Sequence, residues 1–253
     1  MIQGDATPSQ LVKLISVVET ESVTNKGIFI AFIIIGLWAS TLTLLLALDT
    51  YKTPIILILL AIIWQTFLYT GLFITAHDAM HGIVFAKNPQ INHWIGKISV
   101  ILYALLSYKT LVEKHCLHHQ YPGTETDPDF DDNQHQNVFN WYYKFIKSYW
   151  NWRQIVGLTL TFHLSHHIFN ISYINLILFW VIPSILSSMQ LFYFGTFLPH
   201  KRTEEGYTNL HCTQSIPLPV FWSFIACYHF GYHKEHHEYP HIPWWRLPDV
   251  YNN

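Results

Sequence analysis

Charge is what this sequence has least of. Asp, Glu, Lys and Arg make up 12% of its 253 residues, whereas 51% are hydrophobic. An average soluble domain carries roughly 25% charged residues. A chain so poor in charge points to a membrane protein. The net charge is -2, so bulk charge offers no footprint for a nucleic-acid partner. Cysteine is also scarce: Cys116, Cys212 and Cys227 form no CxxC pair, which excludes a disulfide framework and a zinc ribbon. No G-x-G-x-x-G occurs, so there is no sign of a nicotinamide or flavin domain. The N-terminal stretch lacks a basic segment followed at once by an apolar run, so no cleavable signal peptide is expected. Repeats, low-complexity tracts and linkers are missing too, and residues 1–253 read as a single membrane-embedded domain.

What is present is long apolar sequence. Residues 27–48 and 53–76 are uncharged, and each exceeds the roughly 20 residues that span a bilayer. The link "DTYKT" makes them a helical hairpin. Residues 154–200 form a stretch about twice a spanning length. The stretch "NISYIN" near its middle suits a turn, which predicts a third and a fourth span. The run at 98–108 is short, and a crossing there would separate the histidine motifs, so it is placed at the interface. The prolines of "IPLPVFWSFIACYHF" place that segment there too. In this four-span arrangement only Lys52, of 14 Lys and Arg, falls on the distal face. The positive-inside rule then makes the other face cytoplasmic.

The 17 histidines outnumber the 14 Lys and Arg or the 16 Asp and Glu. "HDAMH" places His77 and His81 at i, i+4. "HCLHH" holds His115, His118 and His119, and "HKEHH" holds His233, His236 and His237. On a helix, i, i+3 and i+4 share a face, so each H-x-x-H-H aims three imidazoles at one point. At this histidine content about a tenth of one such match is expected by chance. Three occur. Eight imidazoles exceed the needs of one tetrahedral ion, so two metals sharing eight or nine nitrogens are expected. Imidazole suits iron, zinc, copper and nickel. An all-histidine site at a membrane surface suggests iron and oxygen chemistry.

"HEYPH" also reads as H-E-x-x-H, the zinc protease helix. Pro240 lies inside that turn, where proline costs roughly 3 kcal/mol, so the helix should stop before it. The third H-x-x-H-H, "HLSHH" at residues 163–167, lies about 15–20 Å along its span from the cytoplasmic end, and is expected to pack rather than ligate. His200, where the fourth span returns, is a candidate ninth ligand, with His229 as its alternative. Asp78, Glu113, Asp127 and Asp129 are candidates to orient the imidazoles, with Asp78, Asp127 and Asp129 carried forward as catalytic candidates. The acidic stretch "TETDPDFDD" also reads as a solvated loop.

These stretches resemble the membrane di-iron desaturase and hydroxylase superfamily. "HDAMHG", "HCLHHQYPGTETDPDF", "FGTFLPH" and "HFGYHKEHHEYPHIPWWRLP" are most similar to bacterial and cyanobacterial β-carotene ketolases. "HLSHH" is outside that pattern. The resemblance implies an all-α integral membrane protein with four transmembrane helices in two hairpins, interfacial helices and a cytoplasmic His-rich di-iron region. It implies O2-dependent oxidation of carbon 4 of a β-ionone ring, taking β-carotene to echinenone and canthaxanthin. It also implies two non-haem irons, a carotenoid entering from the bilayer, and a separate electron donor such as ferredoxin with its reductase. The setting implied is a bacterial plasma or thylakoid membrane. A fatty-acyl desaturase and a carotenoid ring hydroxylase would carry the same metal set. A membrane haem protein would need His pairs facing each other at depth in spanning helices, and a metal-transport protein polar residues along its path, whereas the clustered histidines lie at one face and residues 53–76 have no ionisable lining.

Overall fold

The computed structural model describes residues 8–130, 137–202, 206–207 and 209–252, with side chains from residue 25 onward. Residues 1–7 of the N-terminal stretch and Asp131 and Asp132 of the acidic stretch lie outside the described residues. Among the described residues every regular element is helical: α1 Pro8–Leu46, α2 Ile55–Met80, α3 Pro89–Ala104, α4 Tyr108–Gln120, α5 Val138–Tyr149, α6 Trp152–Phe169, α7 Tyr173–His200, α8 Val220–Cys227, α9 His233–Glu238 and α10 Leu247–Tyr251.

Three helical segments are long and apolar enough to cross a membrane: Asn25–Leu46 of α1, α2 and α7. At 1.5 Å per residue, the 26 residues of α2 reach about 39 Å. α1 and α2 show apolar side chains outward, with Phe32 of α1 65% and Ile55 and Ile63 of α2 68% and 65% exposed, as a helix in lipid must. The count becomes four if α3 and α4, bent by 103° at their junction, form one broken span. The expected third span, α6, is not among them. Its 18 residues include Arg153, Gln154 and three histidines, which lower its apolarity. α8, with 8 residues, is far too short to cross.

Local sequence sets the breaks. Asn88, Ser107, Asn137, Asn151 and Ser172 cap α3 to α7, each accepting from backbone N–H groups of the first turn. Asn170, at φ 52°, closes α6 in the left-handed conformation, so "NISYIN" is the turn that its composition suggests. α7 contains two π turns, Ile177–Val181 and Tyr193–Phe197. Pro183 and Pro199 follow them, and the carbonyls four residues back belong to Phe179 and Gly195, the middle of each π turn. A proline ring clashes with that carbonyl and has no N–H to offer it. Widening the helix relieves both problems.

α2 is the central post, packed against α1, α3 and α7. At one end of it the chain turns meet: Asn175 Nδ2 donates to the carbonyls of Leu45, Leu46 and Leu48, at 3.3, 3.0 and 2.8 Å. At the other end α2 finishes in His77 and His81. The helix bearing His233 ends at Glu238, two residues before Pro240, so "HEYPH" is not a helical pair.

Candidate metal centre

Nine of the histidines converge where α2 ends. His77 and His81 come from α2 and its C-cap, His115, His118 and His119 from α4, His200 from the end of α7, and His233, His236 and His237 from α9. They sort into two groups, His77, His81, His115, His236 and His118, His200, His233, His237, each offering four nitrogens within 4.8 Å of one another. Nε2 of His115 lies 2.7 Å from that of His81, and Nε2 of His237 lies 3.0 Å from His118 and 3.1 Å from His233. Nitrogens bound at roughly 2.0–2.1 Å to one ion stand about 3 Å apart when the bonds meet at right angles. His119 lies between the groups, its Nε2 at 3.1 Å from His236 and its ring stacked on His237.

Among the described residues nothing satisfies several of these atoms. His77 Nε2 and His200 Nε2 are buried with no hydrogen-bond partner. An orphaned buried polar atom costs about 1–3 kcal/mol, and a metal ion would remove that cost. The residues therefore fit a pair of metals. Burial lowers the pKa of His81 to about 4, and burial with neighbouring imidazoles lowers His119 to about 2. The same causes hold His115, His233, His236 and His237 well below the ordinary value. Neutral imidazoles keep the lone pair that a metal needs. His118 is the exception. Burial pushes it down, but its hydrogen bond to Asp127 and the nearby carboxylate charges win and raise it.

The carboxylates separate by role. Asp127 accepts from His118 Nδ1 at 2.9 Å and from the N–H groups of Gly123 and Asp129, which fixes the tautomer so that Nε2 faces the group. Asp78 accepts from the N–H of Trp244 at 3.2 Å and stands 3.7 Å from His77 Nδ1. Asp129 accepts from the Tyr149 hydroxyl. Glu113 points outward to Lys109. His200 Nδ1 donates to the Cys212 carbonyl at 2.9 Å, leaving Nε2 for its group.

Other expectations are redirected. His229 stands apart from both groups, stacked on Tyr232; Tyr228 and His229 have positive φ, so no helical turn connects His229 to His233. In "HLSHH", His163 and His167 are exposed, and His166 donates from Nδ1 to the Ile171 carbonyl and stacks on Tyr173, at the turn far from His77. The sequence reading missed His211, 5.8 Å from the His237 ring, and Phe230, whose ring packs on His77 and His233. Phe230 fits only because residue 195 is glycine: a Cβ there would lie 2.2 Å from its ring.

A cavity of about 480 Å³ opens from the histidines into the helices. His77, His115, His118 and His233 line one part of it, and Leu158, Phe162, Ile177, Trp180 and Ile185 of α6 and α7 line another.

The sequence pattern of the fatty acid desaturase family matches residues 51–163 and 136–253. The chain is 38% identical to a β-carotene ketolase of Paracoccus sp. strain PC1, over 90% of this chain and 92% of that protein. It is 38% identical to a β-carotene ketolase of Paracoccus sp. strain N81106, over 91% and 92%. It is 35% identical to a zeaxanthin 4-ketolase of Chlamydomonas reinhardtii, over 90% of this chain and 51% of that protein.

Proposed function

The chain belongs to the fatty acid desaturase family, and from that premise we propose that it is a membrane di-iron oxygenase placing keto groups at carbons 4 and 4′ of β-ionone rings. The observation that carries the reading is the pair of four-nitrogen histidine groups opening onto one apolar cavity. His77, His81, His115 and His236 would hold one iron, His118, His200, His233 and His237 the other, with His119 serving either. Bound iron supplies the one-electron and O2 chemistry that no side chain can. The protein positions the ring. The apolar wall of α6 and α7 takes the polyene, and Phe230 and Leu111 flank the ring end and exclude water. Asp127 holds the His118 imidazole, Asp78 ties the loop at Trp244 beside His77, and Asp129 ties the end of α5 to the loop after α4.

The reaction proceeds in two rounds. Each consumes O2, two electrons and two protons, and yields one hydroxyl on carbon 4 and one water. The resulting geminal diol loses water to the ketone, taking β-carotene to echinenone and, at the second ring, to canthaxanthin. Electrons come from a separate donor of the ferredoxin type, since the sequence holds no flavin or nicotinamide motif. We place the domain in a bacterial plasma or thylakoid membrane with the metal face cytoplasmic, and take α6, less apolar than the three long spans, to complete four spans in two hairpins. The charge bias and the Asn175 bonds to the α1–α2 turn support that arrangement. Expression in a β-carotene-producing bacterium tests the activity: extracted pigment should contain echinenone and canthaxanthin. Unmodified β-carotene beside folded, iron-loaded protein would overturn the assignment.

A further inference from the structure

The cavity is apolar along most of its wall, yet one polar pair stands in it beside the histidines. Asp129 and Tyr149 line the same space as His115, His118 and His233. The Tyr149 hydroxyl donates to Asp129 Oδ1. Asp129 is fixed by its backbone as well: its N–H donates to Asp127 Oδ1 at 2.9 Å and its carbonyl accepts from Trp141 Nε1 at 2.8 Å. Lys114 lies 4.6 Å from the centre of the Tyr149 ring and holds that side chain from the other side. Among the described residues Asp129 Oδ2 has no hydrogen-bond partner, and the residue, half-buried overall, keeps surface open to the cavity.

A polar group facing hydrocarbon loses its hydration and gains nothing in return. A β-carotene ring offers no donor or acceptor, so the parent substrate leaves the pair unserved. A ring that carries a hydroxyl serves it. We propose that Asp129 and Tyr149 form a hydroxyl anchor that retains the singly hydroxylated ring between the two oxidations of carbon 4. This rests on the ketolase reading above. In the first round one C–H of carbon 4 becomes C–OH, with O2, two electrons and two protons consumed and one water released. The new hydroxyl hydrogen-bonds Asp129 Oδ2, and the remaining C–H stays toward the histidines. The second round consumes the same reactants and converts that C–H into the second hydroxyl, and the diol then loses water. The competing explanation is structural: the bond between Tyr149 and Asp129 ties the end of α5 to the loop after α4.

The experiment compares iron-loaded wild type, Tyr149→Phe and Asp129→Leu, each supplied with β-carotene and, separately, with 4-hydroxy-β-carotene. Asp129→Leu keeps the approximate size of the side chain, removes the Oδ2 acceptor outright and carries the test should Tyr149→Phe fold poorly. The expected result is a fall of about tenfold in turnover of the hydroxylated ring relative to β-carotene, the factor that one lost hydrogen bond accounts for. The 4-hydroxy compound should accumulate when β-carotene is the substrate. Iron content should hold. An unchanged ratio in both variants, or an equal fall on both substrates, overturns the anchor. Wild-type enzyme that converts neither substrate sinks the ketolase reading itself, a distinct outcome.

Discussion

Single side chains decide whether each four-nitrogen group is complete. His200 and His163 are alike in residue type, but His200 sits in a four-nitrogen group and His163 lies exposed on α6. His200→Ala is expected to lose most activity and part of the iron. The triple change of His163, His166 and His167 to Ala should keep both, and iron per folded protein read by elemental analysis separates the two cases. Asp127→Asn removes the carboxylate that orients His118, and metal affinity should fall about 10–100-fold with the fold intact, as measured by chelator competition. The convergence of the histidines was largely legible in the sequence because i, i+3, i+4 spacing brings the imidazoles of each cluster to one face. Glu113 was misread for the same reason: it stands two residues before His115, and positions i and i+2 do not share a helix face. His211, Tyr149 and Phe230 reach the site through tertiary packing, which no local spacing records.

At the scale of elements, α7 matters most, since it carries His200, lines the cavity and contains both π turns. The prolines that force those turns were in plain view in "VIPS" and "FLPH", yet a span read only by hydropathy does not use them. Gly195 shows what the second turn achieves, admitting the Phe230 ring against His77. Gly195→Ala places a methyl group inside that ring's space. Overpacking of this kind costs about 1–3 kcal/mol. The expected outcome is a lower melting temperature together with iron loss, because Phe230 must move against the ligands. A variant with unchanged melting and iron would show that the ring has room to yield. α6 is the element that sequence read least well, its uncharged run being long enough but diluted by three histidines, with Arg153 at its start.

For the whole molecule, the distribution of 14 basic residues argues that Lys52 lies across the membrane from the metal face. In a background with Cys116, Cys212 and Cys227 replaced by Ser, Lys52→Cys should react with an impermeant thiol reagent added outside intact cells. Lys97→Cys should react only after lysis. Labelling of both from one side would remove the four-span arrangement. The three long apolar spans were legible from composition, but the way α7 joins the first two was not. The joint is Asn175, whose side chain serves three carbonyls at the end of α1 from 127 to 130 residues away. Synthesis runs from the N-terminus at about 5–20 residues per second, so those carbonyls wait roughly 6–25 s for their partner. Until then the Leu45 carbonyl has only the Leu48 N–H at 3.2 Å, water must serve those of Leu46 and Leu48, and the first hairpin stays unfastened at that end. The ribosome thus sets a clock on assembly. A nascent chain halted before residue 175 should be cut by protease between residues 45 and 54 faster than the finished chain, and equal rates would show that Asn175 does not fasten the turn.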